Sequence, residues 1–286
     1  MLHILRNRID LIDHLLQLRA NGLSLGFVPT MGALHPGHIS LVQTAYEITN
    51  HVVVSIFVNP NQFNKTKDLE LYPRDIYGDI EMLANSHCHT LYIPSVVDVY
   101  PPAYVQPYYN LGQSENRLEG SSRPGHFQGV AAVLERLFID ITPEKVFLGE
   151  KDFQQVTVVQ KLVELKNLPV EVVSCATLRE EDGLAMSSRN RRLPLALRPA
   201  AKHIYQQMQK ASSAKTVQEL QQQLEVCIAF LKSQPHFEVE YFEAANVNSF
   251  ESLTNQPSFS REQWRIFAAV NVGGVRLIDN CALLPE

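Results

Sequence analysis

Residues 24–46 have the sequence SLGFVPTMGALHPGHISLVQTAY, in which three kinds of segment follow one another. The apolar run at 24–28 predicts a buried β-strand, and residues 39–46 have the apolar spacing of an amphipathic helix. The decapeptide PTMGALHPGH at 29–38 is then a turn that leads from the strand into the helix. In an α/β fold, ligands bind at such turns, along the carboxyl edge of the sheet.

The chemistry of this turn favours an anion, and phosphate in particular. The first N–H groups of a helix have no internal partner and carry partial positive charge. Gly32 and Gly37 let the backbone approach a ligand, and His35 and His38 can donate hydrogen bonds to one phosphoryl oxygen. The residues alone leave two alternatives open, since the histidines can also close a tight turn or bind zinc. The cysteines do not suggest the remaining zinc ligands, because no Cys-x-x-Cys pair occurs among Cys88, Cys175, Cys227 and Cys281.

The composition narrows the class of protein. A chain of 286 residues can bury a large core, and we expect two domains. The formal net charge of -5 argues against a general nucleic-acid binder. Scattered cysteines suggest reduced thiols, and the sequence shows neither a signal peptide nor an apolar run of about 18 residues. We therefore expect a cytoplasmic protein with no nucleic-acid or membrane partner.

Apolar periodicity predicts two kinds of architecture along the chain. The first part alternates strands and helices, which indicates a parallel sheet flanked by helices. The last part contains helices followed by strands, and Gly273-Gly274 predicts a two-residue hairpin turn. The fold class is therefore α/β at residues 1–176, with a smaller C-terminal α+β domain at 177–286. The predicted helices are 4–19, 39–50, 76–86, 128–141, 194–211 and 216–232; the predicted strands are 24–28, 51–58, 90–93, 146–148, 170–173, 238–242, 265–272 and 275–279; residues 97–124 are expected to be irregular.

Three further polar stretches follow predicted strands. Gln62 leaves the strand at 51–58 on the edge that carries the histidine turn, although solvated turn chemistry explains it equally well. Lys151 lies at the end of the strand before a helix, where its ammonium group can neutralise a triphosphate, and Gln155 presents a neutral amide one turn later. The segment MSSR at 186–189 offers hydroxyl groups and one guanidinium for closing over phosphates, or forms an interdomain linker.

Together these stretches resemble a known family. PTMGALHPGH at 29–38, FVNPNQF at 57–63, YPR at 72–74, GEKDFQQ at 149–155 and MSSR at 186–189 are similar to motifs of the pantothenate synthetase (pantoate–β-alanine ligase) family. That family belongs to the nucleotidyltransferases with a His-x-Gly-His signature, which bind ATP in a Rossmann-like domain. The motifs occur in the family's order and cover nearly the whole chain.

The resemblance implies that (R)-pantoate and β-alanine are condensed at the expense of ATP, with Mg²⁺, through a pantoyl-adenylate intermediate. It also implies a homodimer, and catalytic roles for His35, His38 and Lys151. The motifs do not indicate the ligands of Mg²⁺. The implied substrate residues are Thr30, Met31, Gln62, Tyr72 and Gln155. The implied ATP-binding residues are Met31, Gly32, Ala33, Leu34, His35, Pro36, Gly37, His38, Gly149, Glu150, Lys151, Asp152, Leu178, Met186, Ser187, Ser188 and Arg189.

Several alternatives stay open at this stage. The polar stretch 64–79 is either a mobile lid or a solvated loop, and Arg123 and His126 either face the substrate or lie on the surface. Three other functions would share part of the pattern: a nucleotidyltransferase that makes a dinucleotide, a zinc hydrolase, and a nucleotide-binding module without catalysis.

Overall fold

A computed structural model describes residues 1–64, 69–253 and 260–283 of the chain. The strands of its larger sheet are all parallel and lie in the order β1-β4-β3-β2-β5-β6. They are β1 (His3–Leu5), β2 (Leu25–Thr30), β3 (His51–Ile56), β4 (Thr90–Tyr92), β5 (Lys145–Gly149) and β6 (Glu171–Cys175).

Helices cover both faces of this sheet, so that its central strands are buried on each side. Phe27 and Val28 of β2 are fully buried, and they belong to different apolar cores on the two faces. This explains why the strands are almost continuously apolar in sequence. The helices are α1 (Arg8–Ala20), α2 (Pro36–Ile48), α3 (Ile76–Ala84), α4 (Val96–Val99), α5 (Leu118–Ser122), α6 (His126–Ile141) and α7 (Phe153–Lys166); the core that contains Phe27 includes residues of α1, α6 and α7, and the core that contains Val28 includes residues of α2 and α3.

Strands β2 and β5 are hydrogen-bonded neighbours, and the order in which strands are added to the sheet reverses between them. Strand β2 leads into α2 on one face, whereas β5 leads into α7 on the other. Because the two connections diverge, a crevice opens at the carboxyl ends of these strands, where α/β folds bind ligands.

The smaller sheet is antiparallel, with the strand order β7-β8-β9. Two helices pack on it around a separate apolar core. The hairpin predicted at Gly273-Gly274 is confirmed, because both residues have positive φ, at 57° and 85°. The elements are α8 (His203–Ser212), α9 (Val217–Ser233), β7 (Phe237–Asn246), β8 (Trp264–Val272) and β9 (Val275–Ala282).

The predicted fold class is confirmed, but three predicted segments are wrong in detail. The helix predicted at 4–19 begins only at Arg8, because Asn7 caps it and residues 3–5 pair with β4 instead. The helix predicted at 194–211 begins at His203, since Pro199 places a 3₁₀ turn at Arg198–Ala200. Residues 97–124 are not irregular throughout, because they contain α5 and most of α4.

Glu119 of α5 joins the two sheets. Its carboxylate accepts hydrogen bonds from Arg276 of β9 at 2.6 and 2.9 Å and from the Tyr241 hydroxyl of β7 at 2.6 Å. Burial alone would raise the pKa of Glu119, but the hydrogen bonds and charge of Arg276, with the Tyr241 hydroxyl, lower it to about 2. The contact is therefore an ion pair between the two parts of the fold.

We expect Glu119→Gln to lower the free energy of unfolding by about 3 kcal/mol near neutral pH, because it leaves Arg276 with one carboxylate instead of two. The folded pKa lies below the usual value of 4.5, so the stabilisation is complete above that pH and is lost as pH falls towards 2. Urea unfolding across this range measures it. The exposed Glu238→Gln is the matched control, and equal stability of Glu119→Gln and the parent near neutral pH would contradict the analysis.

Candidate active site

A cavity of about 220 Å³ opens at the carboxyl ends of β2 and β5. Residues from the turn after β2, the turn after β3, the turn after β5, helix α6 and the segment after β6 line its wall. The cavity therefore lies at the point where the two central strands diverge. Its walls combine imidazole, amide, hydroxyl and cationic groups with an apolar side formed largely by α6.

Most of the residues that the motifs indicated meet in this cavity. Five do not line it: Gly32, Ala33, Leu34, Pro36 and Glu150. The ones that line it are Thr30, Met31, His35, Gly37, His38, Gln62, Tyr72, Gly149, Lys151, Asp152, Gln155, Leu178, Met186, Ser187, Ser188 and Arg189.

A buried carboxylate holds the turn after β2. Asp79 of α3 accepts hydrogen bonds from the backbone N–H groups of Ala33 and Leu34, at 2.9 and 2.7 Å. The resemblance implies that Ala33 and Leu34 bind ATP, but their backbone amides already have a partner here. Sequence reasoning missed Asp79, because α3 brings it to the turn only through the packing of the folded sheet.

The two histidine rings lie next to each other at the start of α2, with their planes tilted by 43°. Their ring centroids are 4.0 Å apart, and Nδ1 of His38 accepts a hydrogen bond from the backbone N–H of His35 at 3.3 Å. A neutral ring that accepts at Nδ1 carries its proton on Nε2, so His38 is a hydrogen-bond donor at that atom. A larger residue at position 37 would displace the ring of His35, since a Cβ added to Gly37 would lie 2.9 Å from it.

Both imidazoles are uncharged at physiological pH. Burial, with the positive charges of Lys151 and Arg191, lowers the pKa of His35 to about 4. Burial, with His35 and Lys151, lowers the pKa of His38 well below its ordinary value. The pair therefore supplies neutral hydrogen-bond donors next to a cationic lysine.

The turn after β5 presents Lys151 to the cavity. The ammonium of Lys151 lies 3.6 Å from the carboxylate of Asp152, and both residues line the wall. Glu150 is directed to the smaller sheet instead, where its carboxylate lies 3.3 Å from the guanidinium of Arg265. Gln155 follows in α7 and lines the cavity.

The segment 178–189, which we call the clamp segment, is an ordered hairpin. Residues Arg179 and Ala185 form an antiparallel bridge, and Met186 donates its N–H to the carbonyl of Leu178 at 3.0 Å. The side chain of Ser188 lies close to the hydroxyl of Tyr72, and both residues line the cavity. The residues beyond it also reach the first turn, since Arg191 donates to the carbonyl of Leu34 at 3.1 Å.

Gln62 is positioned by two residues that the sequence left undecided. The carbonyl of Gln62 accepts hydrogen bonds from His126 at 2.9 Å and from Arg123 at 3.4 Å. Both of these residues line the cavity, and His126 is buried. Of the lid predicted at 64–79, residues 65–68 lie outside the described part of the chain, and Tyr72 forms part of the cavity wall.

With this geometry in place, the chain was compared with known proteins. The profile of the family described as pantoate-beta-alanine ligase matches residues 3–282. This chain belongs to the pantoate–β-alanine ligase family. It is 40% identical over 283 residues to the pantothenate synthetase of Christiangramia forsetii, covering 99% of both chains, and 43% identical over 265 residues to that of Porphyromonas gingivalis, covering 92% of both.

Solved structures agree with this family assignment. The crystal structure of pantothenate synthetase from Thermus thermophilus matches with a TM-score of 0.90 and 34% identity, covering 99% of this chain and all of that one. The pantoate–β-alanine ligase from Francisella tularensis, crystallised with β-γ ATP and β-alanine, matches with a TM-score of 0.80 and 32% identity, covering 100% of this chain and 99% of that one.

Two further observations concern a metal site and a membrane-spanning helix. Within residues 1–64, 69–253 and 260–283, no group of three or more His, Cys, Asp or Glu side chains is placed to hold a metal ion. The zinc site that the histidine turn left open therefore has no ligand set there. No helix in those same ranges has the length and apolar character needed to cross a membrane.

The low pKa values of His35 and His38 predict an NMR result. We expect the imidazole signals of both residues in the ligand-free protein to stay constant between about pH 8 and pH 5.5, a range in which an unperturbed histidine gains its proton. His35→Gln and His38→Gln assign the signals, and free imidazole in the same samples serves as the comparison. A titration midpoint above about pH 6 for either ring would show that the site tolerates an imidazolium.

Proposed function

We propose that this chain condenses (R)-pantoate with β-alanine at the expense of ATP, giving pantothenate, AMP and pyrophosphate. The observation that carries the proposal is that one cavity brings together the histidine turn, Lys151, the clamp segment and both glutamines in a member of the pantoate–β-alanine ligase family. The Francisella relative, crystallised with an ATP analogue and β-alanine, supports the choice of two of the three substrates.

The reaction proceeds in two displacements. The carboxylate of pantoate attacks the α-phosphorus of MgATP, and the bond to pyrophosphate breaks, which leaves pantoyl adenylate. The amine of β-alanine then attacks the acyl carbon, AMP leaves, and the amine loses a proton. Transfer at phosphorus depends mainly on positioning and on stabilising the developing negative charge, so the protein needs hydrogen-bond donors and cations rather than a nucleophile.

The first displacement assigns roles to the cationic and neutral donors. Nε2 of His38 donates to the α-phosphate, and His35 assists it at the bridge to the β-phosphate. Lys151 neutralises the charge that develops on the leaving pyrophosphate. Uncharged imidazoles suit this site, because they add hydrogen bonds without adding positive charge beside Lys151.

The other residues of the cavity wall bind either the nucleotide or pantoate. Ser187, Ser188 and Arg189 hold the triphosphate, and the paired backbone of Leu178 and Met186 holds the nucleoside. The partly exposed carboxylate of Asp152 would help to hold the Mg²⁺ of the nucleotide, and the ion would neutralise phosphate charge there. The residues proposed for pantoate are Thr30, Met31, Gln62, Tyr72 and Gln155.

The proposal extends to the organisation of the protein. We propose a boundary between two domains after residue 176, supported by an apolar core formed entirely by residues from Leu184 onward. We also propose that the protein is a homodimer in the cytoplasm. Sedimentation equilibrium of the purified protein tests the dimer.

Isotope exchange between pyrophosphate and ATP tests the reaction. We expect exchange to require pantoate and Mg²⁺ but not β-alanine, because adenylate formation is complete before the amine reacts. A strict requirement for β-alanine would contradict the two displacements. Exchange without pantoate would favour a nucleotidyltransferase that makes a dinucleotide, and ATP binding without turnover would favour a non-catalytic module.

The role of His38 is tested by two substitutions. His38→Ala removes the Nε2 donor, and we expect adenylation in single turnover to slow by about 10²–10³-fold, as for loss of one preorganised donor to a developing oxyanion. His38→Gln places an amide N–H near the position of Nε2 and should retain part of the rate. If both variants adenylate within a few-fold of the parent, His38 only closes the turn.

A further inference from the structure

The lysine turn and the clamp segment are both hydrogen-bonded to one strand of the smaller sheet. Strand β9 carries Asp279 and Asn280, whose side chains are almost completely buried. Asn280 contacts the turn that presents Lys151, and Asp279 contacts the clamp segment. Neither residue lies in a motif that the sequence analysis singled out.

The side-chain amide of Asn280 holds the lysine turn by its backbone. Its Nδ2 donates to the carbonyls of Glu150 and Lys151, at 2.8 and 2.9 Å. Its Oδ1 accepts a hydrogen bond from Nε of Arg265 at 2.8 Å, which fixes the orientation of the amide because all three contacts then join a donor to an acceptor. Arg265 also reaches the carboxylate of Glu150.

The neighbouring residue holds the clamp segment. Asp279 accepts two hydrogen bonds from Arg179, at 2.6 and 3.0 Å, in a bidentate ion pair. The guanidinium of Arg179 lies 3.5 Å from the ring centroid of Tyr205, which fixes it further. Strand β9 is therefore the element that sets the place of the lysine turn relative to the clamp segment.

We propose that Asn280 is a positioning residue that holds Lys151 at the distance from the clamp segment that adenylation requires. This rests on the proposed function, in which Lys151 acts on the triphosphate. A 3₁₀ turn of three residues, Glu150–Asp152, has few hydrogen bonds of its own. Without the amide of Asn280, two carbonyls of the turn lose their partner, so the turn shifts to satisfy them. A misplacement of about 1 Å slows a positioned reaction by as much as about 10²-fold.

A double-mutant cycle on the full chain tests this positioning role. Pantoate-dependent exchange between pyrophosphate and ATP is measured for the parent, Asn280→Ala, Lys151→Ala and the double variant. We expect Asn280→Ala to slow exchange by about 10–100-fold in the parent but by less than about threefold once Lys151 is absent, because it acts through that side chain.

The matched control is Val275→Ala, which removes apolar contacts from the same strand without touching the lysine turn. We expect it to slow the parent and Lys151→Ala by the same small factor, as a change in stability alone would. Asn280→Asp is the second variant in case Asn280→Ala does not fold. It keeps the size of the side chain but opposes the two carbonyls with a carboxylate, and should show the same dependence on Lys151.

The outcomes separate this proposal from the proposed function. If Asn280→Ala and Asn280→Asp slow the Lys151→Ala protein as much as they slow the parent, the role of Asn280 is only structural and the proposal is overturned. It is likewise overturned if both Asn280 variants exchange like the parent while Lys151→Ala is slow. If Lys151→Ala itself exchanges at the parent's rate, the assignment of Lys151 fails first, and the role of Asn280 with it.

Discussion

The divergence of two neighbouring parallel strands determines where this protein has a site at all. Because β2 leads into α2 on one face and β5 into α7 on the other, the carboxyl edge between them cannot be covered by either connection. Each strand therefore ends beside the same crevice. The histidine turn and the lysine turn meet there although about 110 residues of chain separate them.

Burial then sets the chemistry of that crevice. A charged imidazole would have to lose its hydration next to the cation of Lys151, so both histidines remain neutral. Asp79 acts in a different way. Its carboxylate accepts hydrogen bonds from the two backbone N–H groups of the turn that would otherwise attract an anion. In the proposed reaction, the side-chain donors and Lys151 are therefore left to bind phosphate, because the amides of Ala33 and Leu34 already donate to Asp79.

Local sequence was sufficient for the architecture and for most of the cavity wall. Buried parallel strands have continuous apolar runs, and the polar residues after them lie at a common edge, so Lys151 and Gln155 could be placed at the cavity from order and spacing. Order and spacing left Gln62 with two equal interpretations, and only the family's motif at 57–63 favoured a place in the site. Residues that act across the fold could not be found in this way. Asp79, Asp279 and Asn280 lie in ordinary helix or strand sequence and Arg179 lies in a loop, and their roles exist only once distant elements pack together. The start of α1 was misplaced for a similar reason, because pairing with β4 overrides the helical pattern at residues 3–5.

The contact between Asn280 and the lysine turn also makes the site depend on the docking of the smaller sheet. Asn280 lies 129 residues after Lys151, so this contact closes one of the long loops of the chain. The parallel sheet is built without this contact, since all of its strands lie before residue 176. A chain in which that sheet has formed but β9 has not docked would have its histidine turn in place, while the turn that carries Lys151 would lack its partner. Such a chain is compact and has most of its secondary structure, yet its active site is unfinished until β9 has docked.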